Sequence, residues 1–167
     1  TPDDLLACVP LVLGFVPQDS AVVLSLPPEE DITWLWRAAE LDQVAWQEEF
    51  GRNHDRTGLV SEANIFRYRP LLTTLRVRVG EGYELRDVAR QVLAAAITGT
   101  ATEISATPEV ATQLQDLGFD VKAITDEAFA TDVANDPSSR VRALGTVPDS
   151  IYEAAVRSNS VVLDQPV

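Results

Sequence analysis

A glycine-rich turn is the part of the sequence that comes nearest to a cofactor-binding motif. Gly80–Leu85 (GEGYEL) follows an alternating segment typical of a strand and precedes a helical pattern, where a dinucleotide fingerprint places glycines beneath a pyrophosphate. Leu85 stands where the third glycine should be, and Glu81 and Glu84 put negative charge where the pyrophosphate would lie. Glu103 could imitate the ribose-binding acid. The turn predicts a plain strand–helix connection, with a nucleotide-binding enzyme as an alternative.

Other chemically active residue types lack the partners that catalysis or metal binding requires. Cys8 is the one cysteine and lies among apolar residues, while His54, the one histidine, stands beside Asp55 in a polar loop. A disulfide within the chain and a zinc site of the usual Cys/His kind are therefore excluded. Paired acids stand at helix starts or on exposed helix faces, where capping and solubility explain them. We predict no catalytic residue, no metal ligand and no cofactor.

The segments that would position such groups alternate between strand and helix patterns from Glu62 onward. This alternation with short connections indicates a parallel sheet covered by helices on both faces. Strands are predicted at Ile65–Arg69, Thr73–Val79, Ala101–Ser105, Phe119–Ile124, Arg140–Leu144 and Ser160–Leu163. Helices are predicted over Glu84–Thr98, from a Thr107 cap to Leu117, from a Thr125 cap to Ala134 and over Val147–Arg157. The expected fold is a Rossmann-like three-layer α/β domain with a mainly parallel sheet.

A helix–strand unit and a long helix precede this pattern. A helix from Asp3 to about Leu13 and a buried strand at Ser20–Leu26 are predicted before the Pro27-Pro28 boundary. Glu29–Phe50 reads as one long helix with two apolar faces, which is typical of a helix buried on two sides or covered by a partner. The predicted division is residues 1–28, residues 29–60 with the polar loop Gly51–Gly58, and residues 61–167.

Charge narrows the classes of partner. The 26 acidic and 13 basic residues give a net charge of −13, so most of the surface should repel nucleic acid. The longest apolar stretch, residues 5–16, is too short to span a bilayer, and no charged segment precedes it as in a signal peptide. We expect a cytoplasmic protein that contacts neither membrane nor nucleic acid directly. Its candidate protein-contact residues are the helix tryptophans and the one arginine cluster: Trp34, Trp36, Trp46, Arg67, Arg69, Arg76 and Arg78.

Three stretches carry a resemblance to a known family. They are DITWLWRAAELDQVAWQEEFGRNHDRTGL at 31–59, EANIFRYRPLLTTLRVRVGEGYELRDVARQVLAAAITGTATEISA at 62–106, and SRVRALG at 139–145 with VVLDQPV at 161–167. From about Asp31 onward, the chain resembles the C-terminal region of actinobacterial bifunctional enzymes that fuse proline dehydrogenase to pyrroline-5-carboxylate dehydrogenase. Residues 1–28 instead resemble the opening of an uncharacterised actinobacterial domain family. The chain thus reads as a mosaic of a foreign start and a truncated accessory domain.

The resemblance implies an aldehyde-dehydrogenase-like, Rossmann-type accessory domain without catalytic residues. In that family the domain packs against the working dehydrogenase domain and helps enclose the path of the intermediate. We therefore expect a non-catalytic structural or binding module whose partner is a catalytic dehydrogenase domain. The alternative is a stand-alone acidic interaction protein, such as an antitoxin-like protein, an inhibitor or a nucleic-acid mimic, that binds a basic target protein.

Overall fold

The computed structural model describes residues 29–167. The predicted helix from Asp3 to Leu13, the predicted strand Ser20–Leu26 and Cys8 lie outside these residues. None of the helices within residues 29–167 combines the length and hydropathy needed to cross a membrane.

Five parallel strands form the main sheet. They are β3 (Leu75–Val79), β4 (Thr102–Ala106), β5 (Val121–Ala123), β6 (Arg140–Leu144) and β7 (Val161–Leu163), in the spatial order β5-β4-β3-β6-β7. Leu75 of β3 pairs with Thr102 on one side and with Arg140 on the other. The order reverses between β3 and β6, which are therefore the central pair. The predicted α/β fold with a parallel sheet is confirmed.

Four helices cross over between these strands. They are α2 (Leu85–Thr98), α3 (Pro108–Asp116), α4 (Asp126–Ala134) and α5 (Asp149–Arg157). Their ends follow local signals in the sequence: Gly99 closes α2 with a φ of 68°, Pro108 opens α3, and the Thr125 hydroxyl caps α4 by accepting a hydrogen bond from the Ala128 amide at 3.3 Å. Each signal satisfies or removes backbone groups that a helix end leaves unpaired.

Each face of the sheet has its own apolar core. Val77 and Val79 of β3 pack with α2 and α3 through residues such as Val88 and Leu114. On the opposite face, Val141 and Ala143 of β6 pack with α4 and α5 through Phe129, Val133 and Ile151. The helices therefore form one layer on each side, as in a Rossmann-like three-layer fold.

The long helix α1 (Glu29–Ala45) ends in a π-helical turn, Trp46–Phe50. It packs on α2 through one narrow stripe, in which Leu35 and Ala39 are buried. Two arginines of α2 strengthen this contact. Arg90 forms a bidentate ion pair with Asp42, in which Nη2 lies 2.8 Å from Oδ1. Arg86 Nη1 lies 3.5 Å from Asp31 Oδ1.

The segment between the π-helical turn and β3 differs from the prediction. Only Ile65–Phe66 of the predicted strand Ile65–Arg69 forms a strand, β2, and it pairs antiparallel with β1 (His54–Asp55) in the predicted polar loop. Its alternating side chains are all exposed, because no second layer covers them. Alternation alone therefore indicated an extended chain correctly but overestimated the length of the strand.

A buried ion pair anchors β3 to the second layer. Arg78 is fully buried, and its Nη2 donates to Asp126 Oδ1 at 2.6 Å and to the Ile124 carbonyl at 3.0 Å. Its guanidinium carbon also lies 5.0 Å from the centre of the Phe129 ring. A charge removed from water needs such partners, since an unpaired one is strongly destabilising.

Asp126→Ala should therefore destabilise the fold by about 3 kcal/mol, because it leaves Arg78 buried without its counter-charge. Asp136→Ala is the matched control: it removes the partner of the more exposed Arg76, 2.8 Å away, and should cost less than about 1 kcal/mol. The double variant Arg78→Met/Asp126→Ala should recover most of the loss. Urea unfolding measures all three, and equal losses in the two single variants would contradict the assignment.

Candidate functional site

The crevice between the carboxyl ends of β3 and β6 is where an open α/β sheet ordinarily binds its ligand. Here the two loops that follow these strands pair with each other. The Thr146 amide donates to the Glu81 carbonyl at 2.8 Å, and the Glu81 amide donates back to the Thr146 carbonyl at 3.2 Å. A Cβ added at Gly80 would overlap the Thr146 carbonyl, and one added at Gly145 would lie 2.6 Å from the Glu81 carbonyl. Because Gly80 and Gly145 have no side chain, the backbones of the two loops can approach each other this closely.

Carboxylates surround the first turn of α2, where a pyrophosphate would sit in a dinucleotide-binding protein. Burial raises the pKa of the Asp87 carboxyl, and the negative charge of Glu84 adds to the effect. Arg86 forms an ion pair with Glu84, in which Nη2 lies 2.6 Å from Oε2. A phosphate group approaching this turn would meet the carboxylates of Glu84 and Asp87, and Arg86 is already paired with Glu84, which favours the reading of Gly80–Gly82 as a plain connection.

The side of α1 that faces away from α2 forms a shallow groove in which apolar and polar side chains alternate. We call this side the outer face; it encloses about 600 Å³ and is lined by Thr33, Trp36, Arg37, Glu40, Leu41 and Val44. Leu41 is 60% exposed and Val44 is 46% exposed. The outer face therefore exposes apolar side chains, Trp36, Leu41 and Val44, between polar ones, and residues 29–167 do not cover it.

The three predicted tryptophans occupy different environments on this helix. Trp36 lines the groove and is half-buried. Trp34 lies at the edge of the α2 contact, with the Arg86 guanidinium carbon 5.7 Å from its ring centre. Trp46 turns toward α2, beside a cavity of about 220 Å³ shared with Phe50 and Ile97. Of the three, Trp36 is placed to contact a partner, while Trp34 and Trp46 help hold α1 on α2.

A second exposed apolar surface follows α1. We call residues 51–74 the arm; it includes β1 and β2 and lies almost entirely at the surface. Its large exposed side chains are Leu59, Val60, Ile65, Phe66, Tyr68, Leu71 and Leu72. Val60 and Leu72 are 106% and 98% exposed. Exposed large apolar side chains concentrated in one segment indicate a protein-interaction site.

Local contacts give the arm a defined shape. Asp55 Oδ1 accepts hydrogen bonds from the Thr57 hydroxyl at 2.8 Å and from the Thr57 and Gly58 amides at 3.0 and 3.2 Å. These hydrogen bonds, the Thr57 hydroxyl foremost, lower the pKa of Asp55. Tyr68 packs edge-to-face against Phe50 and Phe66, with ring centres 4.9 and 5.2 Å apart. These contacts order the turn at Asp55 and hold the Phe66 and Tyr68 rings together beside Phe50.

The arginines predicted as contact residues divide into two groups. Arg67 and Arg69 are exposed on the arm, where a partner can reach them. Arg76 and Arg78 lie under α4 instead, bound to Asp136 and Asp126. Arg78 is therefore corrected from a partner contact to an internal one, because its fully buried guanidinium is engaged by the chain itself. Both arginines of β3 therefore pair with carboxylates of their own domain.

Sequence reasoning missed part of this surface. Val44, Val60 and Leu72 were not singled out, although the last two are the most exposed large apolar side chains of the arm. A usable signal was present, since Leu59-Val60 and Leu71-Leu72 are apolar pairs inside otherwise polar or turn-forming stretches. Within residues 29–167, no three His, Cys, Asp or Glu side chains lie close enough to bind a metal ion.

Comparison with known proteins adds no relative. No protein-family model, no curated protein and no solved structure matches the chain.

The close contact between the two loops predicts how much stability is lost when their glycines are substituted. Gly80→Ala should destabilise the fold by about 2 kcal/mol or more, because the new methyl group must displace the Thr146 carbonyl. Gly82→Ala in the same turn meets no atom within 4 Å and should cost only about 1 kcal/mol, for its positive φ. Thermal melts of both variants compare the two losses. An equal or smaller loss in Gly80→Ala would show that the loops are not tightly joined.

Proposed function

We propose that this chain is a non-catalytic binding module that docks on a protein through the outer face of α1 and the arm. The observation that carries the proposal is the pair of exposed apolar surfaces that flank the π-helical turn. Burying such side chains in a complex contributes about 25 cal/mol for each Å² of apolar area removed from water. The closed crevice at β3 and β6 supports the same reading, because the usual ligand position of the fold is filled by backbone.

For the partner, we propose a catalytic pyrroline-5-carboxylate dehydrogenase domain, as the resemblance of residues 31–167 implies. An accessory domain of this kind needs a stable scaffold and a surface for the catalytic domain, and it needs no catalytic group of its own. The outer face of α1 offers exposed aliphatic side chains, Leu41 and Val44, and an aromatic side chain, Trp36. Aromatic residues contribute strongly to protein interfaces when a partner excludes water from them.

Binding of the chain to the purified dehydrogenase domain of an actinobacterial bifunctional enzyme tests this proposal. Leu41→Glu should weaken binding at least about tenfold, because it places a charge at an apolar position of the groove. Val156→Glu is the matched control, since Val156 is 82% exposed but lies on α5; it should leave affinity unchanged. Isothermal titration calorimetry gives both affinities. No binding by the wild-type chain, or equal effects of the two variants, would contradict the proposed docking.

A second candidate is an acidic interaction protein that binds a basic target. The strands and helices from Ala101 to Asp136 carry eight carboxylates and one lysine and form the β5 edge of the sheet. Lys122 lies 3.9 Å from Glu103 and 3.8 Å from Asp132. Among the described residues, Asp116 and Asp120 are exposed and form no ion pair, so this edge has an excess of negative charge.

The acidic-edge reading predicts that a deca-arginine peptide binds the chain at low salt. Affinity should fall steeply as salt is added, because ions screen contacts between exposed charges. Asp116→Asn/Asp120→Asn should weaken this binding more than the control Asp149→Asn/Asp164→Asn, which removes two charges elsewhere. Fluorescence anisotropy follows the titration. Equal weakening by both double variants would rule out a specific acidic edge.

A further inference from the structure

The arm and the outer face of α1 are complementary in charge as well as in apolar character. The arm carries four arginines, Arg52, Arg56, Arg67 and Arg69, against two carboxylates. It is a positively charged segment in a chain whose net charge is −13. By contrast, residues 29–50 carry seven carboxylates and one arginine. Five of these carboxylates are exposed: Glu29, Glu30, Glu40, Glu48 and Glu49.

The charge of the arm is available to a partner. Arg67 and Arg69 are exposed and form no ion pair within the described residues. The arm's Asp55, however, is occupied by hydrogen bonds from Thr57 and Gly58. The arm therefore presents guanidinium groups next to Phe66 and Tyr68, a combination that suits an acidic surface with apolar side chains.

The two surfaces do not satisfy each other within one chain. The arm leaves α1 at Phe50, where Tyr68 contacts the Phe50 ring, and Leu41 and Val44 on the outer face stay exposed. The outer face carries Glu40 in the groove lining, beside the one arginine of this helix, Arg37, and Glu48 is exposed further along the chain. A second copy of the same chain supplies this face with matching charge.

We propose that two copies of this chain form a symmetric dimer in which the arm of each copy lies on the outer face of α1 of the other. The contact is reciprocal, because each copy supplies one arm and one groove, as a two-fold interface requires. This inference rests on the proposed function only in taking both surfaces to bind protein. The dimer and the dehydrogenase domain compete for one surface, so binding of that domain should separate the two copies.

A charge-exchange experiment on the full chain tests the dimer. The wild-type chain should show twice its mass of 18.2 kDa in light scattering at roughly 100 μM. Arg67→Glu/Arg69→Glu should be a monomer, since its arm now repels the groove. Glu40→Arg/Glu48→Arg should also be a monomer, because its groove repels the arm. An equimolar mixture of the two variants should form a heterodimer, in which both contacts again join opposite charges.

Folding and specificity have their own controls. Circular dichroism melts show that each variant is folded, and Arg140→Glu, which changes an exposed arginine on β6, should remain a dimer. A monomeric wild-type chain, a charge variant that stays dimeric, or a mixture that stays monomeric would each overturn the proposal. A dimer that the dehydrogenase domain neither binds nor separates would keep this inference and reject only the proposed partner.

Discussion

Burial of the central strand β3 on both faces is the constraint on which the rest of the structure depends. Its aliphatic side chains, Val77 and Val79, are covered by α2 and α3, while its arginines lie under α4 and need carboxylates there. Arg78 donates a hydrogen bond to the Asp126 carboxylate, and this ion pair connects the start of α4 to the sheet. Covering one strand in this way occupies the apolar faces of the helices that cross over between strands. The long helix α1 is left to pack on the outside of α2, so one of its faces and the following arm have no layer above them.

The loops that follow the central strands β3 and β6 also determine whether the sheet has an open crevice at its carboxyl end. In an open α/β sheet, the loops after such a pair usually separate and leave a ligand crevice. In this chain Gly80 and Gly145 instead let the two loops approach closely enough to exchange hydrogen bonds between Glu81 and Thr146. Glycine therefore serves packing here, although the same residue type in the same place serves phosphate binding elsewhere. The end of the sheet at β3 and β6 is therefore filled by backbone, while the exposed apolar side chains lie on α1 and the arm.

Much of this architecture could be predicted from the sequence, because its signals are local. The bounds of β6 follow from alternation, the start of α3 from Pro108 and the cap of α4 from Thr125. The predicted Thr107 cap of α3 makes no side-chain hydrogen bond. The fate of Arg78 could not be predicted, since its partner Asp126 lies 48 residues away and pairs only after the strand order is set. For the same reason Ile65–Arg69 looked like a full strand. Its alternation is real, but whether a neighbouring strand or layer is present is a tertiary property. Leu41 on the outer face of α1 belongs to an apolar stripe visible in the sequence, whereas the exposure of this face depends on how α1 packs on α2 and so required the structure.

We interpret the arm and the outer face of α1 as binding surfaces rather than as parts of the domain's own core. Amide hydrogen exchange of the wild-type chain at rising protein concentration tests this most directly. We expect residues 51–74 and the middle of α1 to become protected as concentration rises, while the strands of the sheet exchange at an unchanged slow rate. Exchange that does not respond to concentration would overturn the dimer, and exchange in the arm that is already slow at the lowest concentration would contradict its assignment as a binding surface.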